Sequence, residues 1–106
     1  MSQREVIDKL RKYCLLLNSS GITVEKAFLY GSWARGNAMA DSDIDVMIVS
    51  SQFDTDDHSI KAKAWRMTEK IDLKIEPYTV GLNKFMNDKV SPLVQLVREQ
   101  GVEIVF

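Results

Sequence analysis

From Ser2 to Asn18 the apolar residues Val6, Ile7, Leu10, Tyr13, Cys14 and Leu17 recur at helical spacing, and Ser19-Ser20-Gly21 supplies a stop, so the pattern predicts an amphipathic helix. Residues 22–30 are rich in β-branched and aromatic side chains and run straight into Gly31-Ser32, which predicts a strand ending in a tight turn. A second strand is expected over Ile44 to Val49. Its period-two alternation places Ile44, Val46 and Ile48 on one face and Asp43, Asp45 and Met47 on the other. Ile60, Ala64, Met67 and Ile71 return to helical spacing, and near Lys70 helix gives way to a third strand. There Ile71, Leu73 and Ile75 alternate with Asp72, Lys74 and Glu76, until Pro77 ends regular pairing or marks an edge. Ser91-Pro92 is an N-cap followed by a residue suited to the first helical position; Leu93, Val94, Leu96 and Val97 form a stripe, and Gly101 is the stop before a last short strand over Val102 to Phe106. The expected order is helix, strand, strand, helix, strand, helix, strand, an α/β or α+β class with no internal repeat or linker.

With 106 residues, 45% of them apolar, the chain has material for one core, and a single domain over residues 1–106 is expected. Charged residues make up 27% of the chain and nearly cancel to a formal net charge of -1, which argues against a global basic field and against direct DNA binding; a polyanion must be gripped locally. The single cysteine, Cys14, lies in the apolar stripe of the first helix and reads as a core residue in a reducing compartment. No run approaches a membrane span and the N-terminus does not read as a signal peptide, so a cytoplasmic location is expected.

The chemistry is concentrated in Gly31-Ser32-Trp33-Ala34-Arg35-Gly36 and the Asp43-Ile44-Asp45 that follows. A glycine and a small hydroxyl residue at a strand end let backbone N–H groups come close to a phosphate chain. Aspartates at i and i+2 on a strand share a face roughly 6.5–7 Å apart along the backbone, within reach of one hard divalent cation. Mg²⁺ suits an all-oxygen ligand set that an NTP would complete. In-line phosphoryl displacement is better served by two ions, which asks for a third carboxylate. Glu76 and Asp72 both qualify; Glu76 is preferred because it sits at a strand end beside Pro77, where a site would open. A P-loop is rejected, since Asn37 and Ala38 stand where that motif needs Lys and Ser/Thr.

Gly31-Ser32-Trp33-Ala34-Arg35-Gly36 with Ser42-Asp43-Ile44-Asp45-Val46 resembles the signature of the minimal nucleotidyltransferases (MNT) of the DNA polymerase β superfamily. The resemblance implies a polymerase β-like nucleotidyltransferase fold, a small mixed sheet with helices packed on one face and the carboxylate site on the other. It also implies triphosphate binding at Gly31 and Ser32, metal ligation by Asp43 and Asp45, and Glu76 as the third carboxylate and an activator of the acceptor hydroxyl. Arg35 matches a motif position as a nucleotide-binding residue, or as a partner of Asp41 or Asp43 that holds the turn. Members similar to this chain often act as antitoxins of HEPN-type partners, transferring AMP from ATP to a tyrosine of the partner. Two Mg²⁺ ions and an NTP, ATP by resemblance, are therefore the expected cofactor and substrate. A HEPN-type protein is the expected partner, and homo-oligomerisation stays open. The alternatives are a non-catalytic nucleotide-binding antitoxin acting by occlusion, and one subunit of a small-molecule nucleotidyltransferase of the aminoglycoside type.

Four further features are read more plainly. His58 lies in an acidic loop with no second metal ligand nearby and is assigned no role. Trp33 stacks on a base or partner, or plugs the edge of the core. Trp65 and Met67 fit helix packing, while Lys61, Lys63, Arg66 and Lys70 form a solvated face. Lys74 either assists phosphate binding or is solvated.

Overall fold

The computed structural model of the protein describes residues 1–106. Helix α1 spans Gln3–Ser19 and opens with a capping box, in which the Glu5 amide donates to Ser2 Oγ (3.1 Å) and the Ser2 amide to the Glu5 carboxylate (3.3 Å). Strand β1 covers Lys26–Tyr30 only. The amides just before it are already committed: Ile22 donates to the Leu17 carbonyl, Val24 to Asn18 Oδ1 and Thr23 to Gln52 Oε1, so residues 22–24 close the end of α1 and cannot join a ladder. A four-residue helix α2, Ser32–Arg35, follows, then β2, Ile44–Ser50, and α3, Ser59–Met67, continued by a 3₁₀ turn to Lys70.

Strand β3 runs Ile75–Gly81, four residues later in its start than the alternation of 71–76 suggests. Asp72 is the reason. Its carboxylate accepts the Lys74 amide (2.8 Å) and its carbonyl the Ile75 amide (3.1 Å), turning the chain before pairing begins. Pro77 does not end the strand; it is accommodated because β3 lies at the sheet edge. Helix α4, Leu82–Asn87, is tied by its Asn83 amide to the Asp54 carboxylate, α5 spans Pro92–Gln100 with Ser91 as N-cap and Gly101 at its end, and β4 is the two-residue Val102–Glu103. Neither α2 nor α4 is long enough to show a helical repeat in sequence.

The sheet order is β3-β2-β1-β4, with β1 antiparallel to β2 and β4, and β2 parallel to β3 across the α3 crossover. This is the expected mixed α/β architecture. On one face Ala27, Leu29, Ile44, Val46, Ile48 and Ile75 pack against Val6, Leu10, Tyr13, Cys14 and Leu17 of α1 and Ala64 of α3. Tyr13 is wholly buried and donates its hydroxyl to the Ala64 carbonyl (2.6 Å), which satisfies its one polar atom. On the other face Met47, Val49 and Val80 meet Phe85 of α4 and Val94 and Val97 of α5. Helices therefore cover part of this second face too, and the carboxylates occupy the end of it at which β2 begins. Cys14 is buried in the first cluster, as expected. No helix is long and apolar enough to cross a membrane.

Candidate active site

Strand β1 ends at Tyr30, and Gly31 turns the chain with φ 78° and ψ -153°. Such a backbone favours glycine, and a second constraint coincides with it: a Cβ on Gly31 would run into the carboxylate of Asp45. The Gly31 carbonyl accepts from the Ala34 and Arg35 amides (both 3.1 Å), which starts α2, and the left-handed Gly36 (φ 79°) ends it. Trp33 is the anchor of this turn. Its side chain is buried in the first core cluster, its indole N–H points to the Ser42 carbonyl (3.4 Å), and its own carbonyl accepts from Gln3 Nε2 (2.9 Å). Of the two expected roles for Trp33, plugging the core is the one it fills.

The β1–β2–β3 register sets Tyr30 opposite Asp45 and Asp45 opposite Glu76. Side chains in such a row project from one face. Asp43 precedes β2 by one residue and stands two residues from Asp45. Glu76 is thereby brought to the aspartates, while Asp72 is not. Asp45 is half-buried and its carboxyl is raised above the usual carboxylate range, first by loss of water and then by the charge of Asp43, with Arg35 pulling the other way. Glu76 is raised by desolvation and by the charges of Asp43 and Asp45. Tyr30 is pushed up to about 12 by burial and by the neighbouring Asp45, Tyr78 and Glu76, so its hydroxyl keeps its proton. Three carboxyl groups thus sit within one another's field, with Arg35 the one cation acting on Asp45.

The remaining assignments divide. Arg35 is exposed and makes no ion pair with Asp41 or Asp43; the ion pairs are Lys9–Asp72 and Arg11–Asp8, and the expected turn-holding pairing is replaced by an action at longer range on Asp45. Asp72 is held by Lys9 Nζ at 2.6 Å and by the Lys74 amide, and both bonds lower its carboxyl below the usual range. Lys74 is neither free nor turned to the acids: its Nζ donates to the Ala40 carbonyl at 2.9 Å. Trp65 is 49% exposed, so only Met67 of the expected pair packs, because Ala64 and Thr68 take the inward positions of that turn. His58 stands at the start of α3 without a capping bond. Tyr30 was not singled out by sequence, since its position beside Asp45 follows from strand register and from nothing local.

The donor set fits Mg²⁺ in chemistry. All three side chains offer carboxylate oxygens, and their mutual repulsion is what a divalent cation relieves. The protein groups alone do not close a three-ligand cage.

The sequence model described as a nucleotidyltransferase domain matches residues 7–101. No curated protein matches the chain significantly. Among solved structures, a candidate nucleotidyltransferase from Sulfolobus solfataricus is similar with a TM-score of 0.64 at 17% identity, over 95% of this chain and 80% of that one. A toxin-antitoxin structure with AMP-PNP is similar with a TM-score of 0.61 at 21% identity, over 90% of this chain and 72% of that one. Both likenesses are ones of fold.

Proposed function

The chain belongs to the nucleotidyltransferase domain family, and from that premise we propose that it transfers a nucleoside monophosphate, AMP from ATP, to a hydroxyl group of a separate acceptor, with Mg²⁺ as cofactor. The observation that carries this reading is the carboxylate row facing the Gly31 turn, Asp45 and Glu76 in register with Asp43 two residues away. Gly31 and Ser32 bring backbone N–H groups up to the triphosphate, and Arg35 lends positive charge from the end of α2. Asp43, Asp45 and Glu76 are the residues that would hold the metal, which supplies neutralisation of the triphosphate when bound. The acceptor oxygen forms a bond to the α-phosphorus as the bond to the bridging oxygen breaks, and pyrophosphate leaves. Glu76, opposite Asp45 on the neighbouring strand, is taken to accept the hydroxyl proton. Positioning and electrostatics supply most of the rate in such a displacement.

The likeness to a toxin-antitoxin structure with AMP-PNP supports an adenine nucleotide and a toxin as partner. We take the acceptor to be a tyrosine of a HEPN-type partner and the transfer to be the antitoxin's action. A second reading, a non-catalytic antitoxin acting by occlusion, draws support from the same toxin-antitoxin likeness.

Incubation of the purified chain with α-labelled ATP, Mg²⁺ and a lysate of its source organism separates the two. Transfer predicts a labelled macromolecule that disappears with Asp43→Asn/Asp45→Asn. Mg²⁺-dependent ATP binding without any label, with protection from the toxin intact in that variant, establishes occlusion instead.

A further inference from the structure

Asp43 is exposed and lies just outside β2, at the end of the largely exposed loop 36–43. It is opposed by Glu76, a like charge. Repulsion between two carboxylates favours splaying such a loop away from β3. What opposes this is a chain of bonds centred on the turn before β3. Asp72 accepts from Lys9 Nζ of α1 (2.6 Å) and from the Lys74 amide (2.8 Å). Lys74 reaches forward with its side chain to the Ala40 carbonyl (2.9 Å), and its own carbonyl accepts from the Ile44 amide (2.8 Å). One lysine therefore holds the backbone on both sides of Asp43, three residues before it and one residue after it. The same lysine is two residues from Glu76.

We infer that Lys74, braced by Asp72 and Lys9, is a positioning residue that fixes the separation of Asp43 and Glu76 by tying the Asp43 loop to the start of β3. The inference rests on the proposed reading of these carboxylates as metal ligands. Asp72, a rival for the third ligand by sequence, serves the site from outside it: its charge is spent on Lys9 and on the turn. The effect resembles that of outer-shell partners of metal ligands, whose loss weakens metal binding about 10- to 100-fold.

The test uses the full chain as wild type, Lys74→Met, Lys74→Arg, Asp72→Asn and a control, Lys70→Met, at an exposed position outside the network. Three quantities are measured: amide hydrogen exchange over residues 40–44, binding of Mn²⁺ with α,β-methylene ATP by electron paramagnetic resonance, and Tm. Lys74→Met is expected to speed exchange severalfold and weaken Mn²⁺ binding about tenfold, with Tm lowered by no more than about 4 °C. Lys74→Arg is expected to recover much of the Mn²⁺ affinity, Asp72→Asn to show a smaller loss, and Lys70→Met none. Unchanged Mn²⁺ affinity in Lys74→Met beside a wild type that binds overturns the positioning role and leaves the transferase reading standing. Exchange that stays slow in both Lys74→Met and Asp72→Asn also overturns it. A wild type that binds no Mn²⁺ with the nucleotide analogue removes the transferase reading, and this role falls with it.

Discussion

The two faces of β2 end alike, in buried apolar side chains, and begin in different environments. Ile44, Val46 and Ile48 point into the cluster beneath α1 and α3, where every side chain along the strand is out of water. On the opposite face Met47 and Val49 are equally buried under α4 and α5, but Asp45, the first position of that same face, is left half-buried at the rim beside Tyr30 and Glu76. The first face is packed along its whole length, whereas the second is packed until the helices run out. Charge is placed where packing ends, and it is placed there at a cost, because Asp45 and Glu76 both have their carboxyls raised by burial and by like charges. Structural ion pairs do the reverse: Asp72, paired with Lys9, is lowered. The direction of the shift separates the carboxylate paired with Lys9 from the carboxylates proposed as metal ligands.

The largest effect that sharpens this contrast is on turnover. Asp45→Asn is expected to lower kcat by at least about 10²- to 10³-fold, of the order seen when a charge-stabilising group is lost from an active site, in the transfer assay. The same change is expected to raise Tm at neutral pH. A carboxylate with a raised folded pKa destabilises the native state above that pKa, and the penalty disappears as pH falls to the unfolded value near about 4. The thermal advantage of Asp45→Asn should therefore shrink on acidification, which melting curves across pH would show.

Trp33→Ala breaks the contrast from the packed side. Removing this buried anchor should cost about 3–5 kcal/mol in denaturant titration, and transfer should fall with the folded fraction. Gly31→Ala strikes at the junction of the two regions. It forces an L side chain into a positive-φ backbone and against the Asp45 carboxylate, so it should cost about 1–2 kcal/mol of stability and lose activity beyond what that explains.

The smallest effect belongs to the lowered carboxylate. Asp72→Asn should cost about 1 kcal/mol at neutral pH. Because the folded pKa is depressed, that contribution is present above the unfolded value and vanishes as pH falls through the folded one. Wild type and variant should converge in acid. Asp45→Asn and Asp72→Asn thus differ in sign at neutral pH and both approach wild type at low pH.

Most of the fold was legible because its long elements carry period: α1 and α5 announce themselves by stripe and caps, and β2 by alternation. What was missed has physical causes. Helices α2 and α4 are too short to repeat. Residues 22–24 look like strand by composition but spend their amides on α1 and Gln52. The alternation of 71–76 was real, yet Asp72 turns the chain before pairing starts at Ile75. At the site, Gly31, Ser32, Asp43 and Asp45 lie within the one stretch 31–45 and could be read together. The choice between Asp72 and Glu76 depended on register, and so did the place of Tyr30, since neither is encoded by local spacing. Trp65 deceived because a tryptophan on an amphipathic helix suggests burial, while the smaller Ala64 and Thr68 fill the inward positions.

The central claim is that Asp43, Asp45 and Glu76 form one metal-binding face for a nucleoside triphosphate, and anomalous scattering from crystals grown with Mn²⁺ and α,β-methylene ATP tests it most directly. The account predicts Mn²⁺ at bonding distance from Asp43 and Asp45, bridged to the phosphates beside Gly31, with Glu76 at the same cluster and the peaks lost in Asp45→Asn. A nucleotide bound with its phosphates away from Gly31, or Mn²⁺ peaks that persist in Asp45→Asn, would contradict it.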